Sequence, residues 1–258
     1  MDYRHTGREQ PMENKKCRIS QKITGKERKL VASIIANAMN GEAVYTGAPS
    51  FAYQAKGWSV DQDGFVRSPA FDDTESLAYV LNALQKADLL PTGELRVILS
   101  TDGHNGRTLR NLCNIVHSKE RLLQKALGWT EMLVPSTLVE TFNVLPLDSI
   151  EDFLEAIKGL HTGSLLFTPH TVGFGFFNAT LDLQELHAYL SLTLALDALA
   201  RKLQYTSSIQ KETENEKYAF RCFLLRLGFI GDAFKGDRKL LLSGLEGNAA
   251  FKDPASRR

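Results

Sequence analysis

A chain of 258 residues, 43% hydrophobic, with 31 Lys and Arg against 30 Asp and Glu, has the composition of a folded protein and excludes a wholly disordered or collagen-like one. It is long enough to bury one large core, or a small unit attached to a larger one. Cys17, Cys113 and Cys222 are odd in number and widely spaced, which excludes a disulfide framework and a cysteine-built zinc cluster.

Residues 1–22 read as a polar, disordered lead-in punctuated by Gly7 and Pro11, without the apolar run of a signal peptide. The most apolar stretch, 183–203, carries Glu185, His187, Asp197, Arg201 and Lys202, so no membrane span is expected and the compartment reads as cytoplasmic. Charge is uneven. Residues 1–29 hold nine basic and four acidic side chains, residues 215–258 nine and five, and the middle is net −8. Basic ends suit the acidic middle of the chain or a protein partner. They suit nucleic acid less well, because the excess is small beside the phosphate neutralisation that such binding requires.

Thr24, with Glu27 three residues on, predicts a capped helix to about Met39, its stripe made by Leu30, Val31, Ile34, Ile35 and Ala38. Short strands follow at 43–46, 51–55, 58–60 and 65–67, the last two joined by the Asp61–Gly64 turn. Asp73 opens a helix over 76–87. A strand over 94–100 leads through the loop TDGHNGRT into a long helix over 109–127, and shorter helices start near Ser136 and Asp148. Strands 165–168 and 171–177 come next. In the second, Gly173 and Gly175 alternate with Phe174 and Phe176, so one sheet face lacks side chains and something packs close to it, a helix or a bound group. Asp182, boxed with Glu185, caps a helix that is apolar nearly all round and hence central. After the polar linker 204–213, Thr213 or Asn215 caps a helix ending at Gly228, and a last helix runs from Gly231 or Asp232 to Leu242.

The strand–turn–helix plan of 94–127 is echoed at 171–203, which favours two related units around one sheet. The expected fold is α+β. A small N-terminal αβ unit (23–68) precedes a central α+β domain (69–204) with a mixed or antiparallel sheet covered by helices, and a helical hairpin (213–252) packs on it.

The stretches LRNLCNIVHSKERLLQKAL and NEKYAFRCFLLRLGFIGDAFKGDRKLLLSGLEGNAAF resemble the "virulence-related" proteins of Firmicutes prophages and conjugative elements, over about residues 22–252. The resemblance implies an accessory role in a bacterial mobile element, one version being interference with a host defence complex. A second, partial resemblance joins STDGHNGRTLRNLCNIVHSKERLLQKAL to amidoligases related to glutamine synthetase. It implies ATP-dependent ligation, yet only His104 stands where that pattern has two histidines, and no strand in 41–67 carries paired acids to hold Mg²⁺.

His104, Asn105, Arg107 and Arg110 surround the start of a helix, where an anion is favoured; the alternative is a polar turn shaped by Asp102 and Asn105. Cys113 with His117, and His161 with His170, lack a third ligand, so no metal site, cofactor or catalytic group is expected. Asp197 stands alone in an apolar helix, with Arg201 one turn on as its partner, on an exposed edge. In the terminal hairpin, Tyr218, Phe220, Phe223, Leu224, Leu227, Phe229 and Phe234 supply a core. Lys217, Tyr218, Arg221, Lys235, Arg238 and Lys239 form a basic edge for a protein partner or, alternatively, a nucleic-acid backbone. The reading that follows is a non-enzymatic interaction protein. An amidoligase-like enzyme and a nucleic-acid-binding accessory protein are the alternatives.

Overall fold

The computed structural model describes residues 16–71 and 75–250. Its organising feature is one antiparallel sheet of eight strands. These are β1 (Cys17–Thr24), β2 (Val44–Tyr45), β3 (Tyr53–Ala55), β4 (Trp58–Val60), β5 (Phe65–Arg67), β6 (Leu90–Ser100), β7 (Leu165–Phe167) and β8 (Thr171–Asn178), in the order β2-β3-β4-β5-β1-β6-β8-β7. The fold class is α+β, as expected, and the sheet is antiparallel rather than mixed.

The lead-in expectation needs correction over 17–22. These residues belong to β1, which sits inside the sheet, paired with β5 on one side and β6 on the other. Its alternation is real but masked by polar residues. Cys17, Ile19 and Ile23 enter the core, and Gln21 between them is buried only because its amide donates to Thr180 O (2.9 Å) and accepts from Thr180 N–H (2.9 Å). Residues 1–15 and the expected cap Asp73 lie outside the described residues. Because β1 bridges the strands of 43–67 to those of 90–178, residues 23–68 share one sheet and one apolar cluster with the central region.

The helices are α1 (Arg28–Ala38), α2 (Glu75–Lys86), α3 (Gly106–Ser118), α4 (Glu120–Leu127), α5 (Ser136–Val144), α6 (Ile150–Ala156), α7 (Leu183–Lys202), α8 (Glu216–Arg226) and α9 (Lys235–Leu241). Thr24 caps none of them: it ends β1, its hydroxyl donating to Leu90 O (3.3 Å), and Glu27 takes the N-cap position of α1. The expected long helix is two, broken at Lys119, whose φ of −118° and ψ of 7° leave the helical range. The strand expected from 94 begins at Leu90, and the last helix begins at Lys235 rather than at 231 or 232.

Helices cover one face of the sheet. α1 packs on β3 and β4 and carries α2; α7 packs on β6 and against α3; α4 touches β8; α5 and α6 lean on α3; and α9 docks on α7 and α4. Leu95, Val97 and Leu99 of β6 point into this layer, while Glu94, Arg96, Ile98 and Ser100 point the other way and stay half-buried. The two strand–turn–helix units are neighbours, β6 beside β8 and α3 against α7.

A register shift between Leu95 and Val97 lets Phe176 and Phe177 both enter the core, where Phe177 stacks on Tyr189 of α7 at 4.7 Å. The glycines of β8 are approached closely, though by no helix. A Cβ on Gly173 would meet Leu166 at 3.3 Å, and one on Gly175 would meet the Glu94 carboxylate at 3.1 Å and Ser164 O at 3.2 Å.

Candidate functional site: a buried relay and an uncovered sheet face

The loop between β6 and α3 is turned inward. Asn105 caps α3, its Oδ1 accepting from Thr108 N–H (3.0 Å) while its own N–H donates to Thr108 Oγ1 (2.9 Å). Gly106 opens the helix because a Cβ there would lie 2.5 Å from Ser149 O and 2.8 Å from Leu147 O. His104 has no exposed side-chain surface. Its Nε2 donates to Asp197 Oδ1 (2.8 Å) and its Nδ1 meets Thr108 Oγ1 (3.0 Å). Asp197, equally buried, receives Arg201 Nε on its other oxygen (3.0 Å). The expected Asp197–Arg201 pair is present, but in the interior rather than on an exposed edge, and His104 joins it from 93 residues away.

This chain of contacts ties α3 to α7. Of the four residues of the expected anion subsite, His104 and Asn105 make hydrogen bonds within the fold, Arg107 donates to Gln204 Oε1, and Arg110 Nε is buried without a hydrogen-bond partner among the described residues. Cys113 is fully enclosed, and burial pushes its thiol well up from the ordinary range. His117 meets Val134 O through Nδ1 (2.9 Å), with Glu120 at 3.6 Å. His161 Nδ1 accepts from Gly163 N–H (3.2 Å), and His170 is exposed in the β7–β8 turn. Among the described residues, no group of three or more His, Cys, Asp and Glu is placed to hold a metal ion, and no helix is long and apolar enough to cross a membrane.

The terminal hairpin is tied to the rest of the fold through α8. Asn215 caps α8 by accepting from Tyr218 N–H (3.1 Å), and Glu216 is buried against Lys125 (2.7 Å). Burial raises the Glu216 pKa, but Lys125, Glu246 N–H and Arg121 together hold it below its usual value. Within the expected basic edge, Arg238 Nη1 donates to Phe229 O (3.0 Å) and Gly231 O (2.9 Å), and Arg221 Nη1 to Ala249 O (3.4 Å). Lys217 and Tyr218 are half-buried, and only Lys235 and Lys239 are exposed. Elsewhere, burial and the charges of Lys211 and Arg226 lower the Lys119 pKa. Lys119 and Arg226 both stand at helix C-termini, where the carbonyl dipoles favour cations.

His187 on α7 meets the buried Asp237 of α9 through Nδ1 (2.9 Å), which raises its pKa although partial burial opposes this. A raised histidine pKa contributes stability that is complete below the unfolded value of about 6.5 and is lost as pH climbs through the folded value. Urea midpoints are therefore expected to fall from pH ~5.5 to ~8, with a flatter profile in His187→Gln. An equal slope in the variant would remove His187 as the source.

The sheet face that no described helix covers was not legible as a site. Arg18 and Lys22 of β1, Arg67 of β5 and Arg96 of β6 project from it, with Phe65, Ile98 and Leu166 between and beside them. Ser20, Phe65, Arg67, Arg96, Ile98, Leu166, Thr168, Thr171 and Gly173 line a depression of about 220 Å³ there. Arg67 pairs with Asp61 (2.7 Å) and Arg96 with Glu94. The signal available in the sequence was the basic residue at alternate strand positions, at Arg18 and Lys22, Arg67 and Arg96, on three strands well separated along the chain.

No family model matches the chain, and no curated protein matches it. Among solved structures, one similar chain is in the crystal structure of the complex between Prokaryotic Ubiquitin-like Protein Pup and its Ligase PafA, with 7% sequence identity, 73% of this chain and 47% of that chain covered, and a TM-score of 0.34. This chain spans about half the length of that one, and a likeness at this score carries no functional assignment.

Proposed function

We propose that the protein works by binding, as a cytoplasmic accessory protein of a bacterial mobile element, and that it takes an acidic protein partner on the uncovered face of its sheet. The observation that supports this reading is the accumulation of Arg18, Lys22, Arg67 and Arg96 on three adjacent strands of a face that no described helix covers, with Asp61 and Glu94 as the acids paired to them. A sheet normally buries at least one face and solvates the other with mixed charge. Here the solvated face is biased to cations and interleaved with Phe65, Ile98 and Leu166, the pairing of apolar anchors and guanidinium groups that favours protein contacts. The host-defence version is the biological setting that the mobile-element resemblance brings to this reading.

ATP-dependent ligation is the weaker reading. Glu94 is the carboxylate that the central strands place on this face, and it is already paired with Arg96, whereas Mg²⁺ and a transferring phosphoryl group require several. The test is a nuclease-treated pull-down from the native host, comparing the wild type with R18E/R67E and with the hairpin control K235E/K239E. Loss of a stoichiometric protein by about tenfold or more in R18E/R67E alone is the expected result. Loss only in the hairpin variant returns the contact to the basic C-terminal edge. Recovery of nucleic acid alone, abolished by nuclease, rejects the protein-partner reading.

A further inference from the structure

On the uncovered face, Ser20 is the register partner of Arg67 on one side and of Arg96 on the other. The three residues therefore form one row across β5, β1 and β6. Neighbouring strands are about 4.8 Å apart, so two arginine stems stand about 10 Å apart with the smallest hydroxyl side chain between them. That spacing leaves room between the guanidinium groups for one oxyanion above the serine.

The polar atoms of this row are incompletely used. Ser20 is 4% exposed and lines the depression. Arg96 Nε is buried without a hydrogen-bond partner among the described residues. Arg67 and Arg96 each hold a carboxylate through Nη2, with Asp61 on one and Glu94 on the other, which orients the guanidinium groups while leaving further donors on each. A buried guanidinium N–H left unpaired is costly, and an acceptor placed in the row would remove that cost. Phe65 bounds the depression on one side, against the Arg67 guanidinium at 6.0 Å, and Leu166 bounds it on the other, with Ile98 in the floor.

We infer that the Arg67–Ser20–Arg96 row is an oxyanion cradle for a phosphate or carboxylate carried on a compact apolar group. This deepens the binding reading above, since it names the anchor chemistry of the same face. The guanidinium groups supply charge-assisted, fork-shaped donors, the serine hydroxyl supplies a third, and the apolar walls take the carrier.

The test uses the full chain, ¹⁵N-labelled, titrated separately with inorganic phosphate and with benzoate, and followed by amide shifts in β1, β5 and β6. Both arms are repeated in R67Q, R96Q, S20A and the distant K235Q/K239Q. Saturable shifts centred on residues 20, 67 and 96 are expected with at least one probe, weakened about tenfold or more in R67Q and R96Q and unchanged in K235Q/K239Q. Which probe binds more tightly distinguishes a phosphate source from a carboxylate source. The cradle is overturned if neither probe shifts these amides, or if R67Q and R96Q bind as the wild type does while retaining its amide spectrum elsewhere. Its failure is separable from that of the partner reading: a captured protein with no probe binding removes the cradle alone, and probe binding with no captured protein removes the partner alone.

Discussion

Asp197→Ala is expected to lower the unfolding free energy by about 3–5 kcal/mol, the range for breaking a buried ion pair by removing one member. The carboxylate has no exposed surface, and its two oxygens serve different elements, His104 from the β6–α3 loop and Arg201 from its own helix. Deleting it leaves the His104 ring enclosed with one nitrogen unpaired, and leaves Arg201, 21% exposed at its side chain, without its buried partner. Asp197→Asn preserves shape and one acceptor but removes the charge, so its loss should lie between that of Ala and the wild type. Urea denaturation measures both. A double-mutant cycle with His104→Ala should return a coupling of about 0.5–3 kcal/mol, since the two residues share one network. An Asp197→Ala protein within about 1 kcal/mol of wild type would show that this network does not hold α3 to α7.

Phe177→Ala should cost a similar amount, about 3–5 kcal/mol, for a different reason. Phe177 is fully buried, stacks on Tyr189 and lies against Phe176 at 4.8 Å, so truncation opens a void between the sheet and the central helix α7. The surrounding residues are ill placed to collapse into it, because the backbone there is fixed by the register shift opposite Leu95 and Val97. Phe177→Leu fills part of the void and should recover more than half of the loss. Thermal unfolding of the pair is the check, and a loss below about 1 kcal/mol in the alanine variant would place Phe177 outside the core.

Much of the fold was legible because it is written in local chemistry. The short strands 53–55, 58–60 and 65–67 follow from β-forming residues around Asp61–Gly64, and α7 follows from Asp182 ahead of an apolar run. Even there, the second half of the expected capping box goes elsewhere, since Glu185 accepts from Thr180 Oγ1 at 2.7 Å. Asn215 as the cap of α8 and Asp197 beside Arg201 were legible in the same way, through side chains that act within one turn of their own backbone.

The α+β class, most of the elements and the oddity of a carboxylate inside the central helix can be read along the chain. Tertiary structure alone decided what those residues do. β1 looked like part of a polar leader because its pattern is interrupted by Gln21, and only pairing with β5 and β6, and with Thr180 for that amide, makes the interruption tolerable. His104 looked available in a loop until Asp197, distant in sequence, closed over it. Arg221 and Arg238 looked like surface charge until backbone carbonyls brought close by the hairpin engaged them. The row of Arg67, Ser20 and Arg96 exists only through strand register. Hydrophobic period and capping are short-range and can be read along a chain, whereas a hydrogen bond or a charge pair across a sheet depends on which strands become neighbours, and that is settled by burial of the whole core.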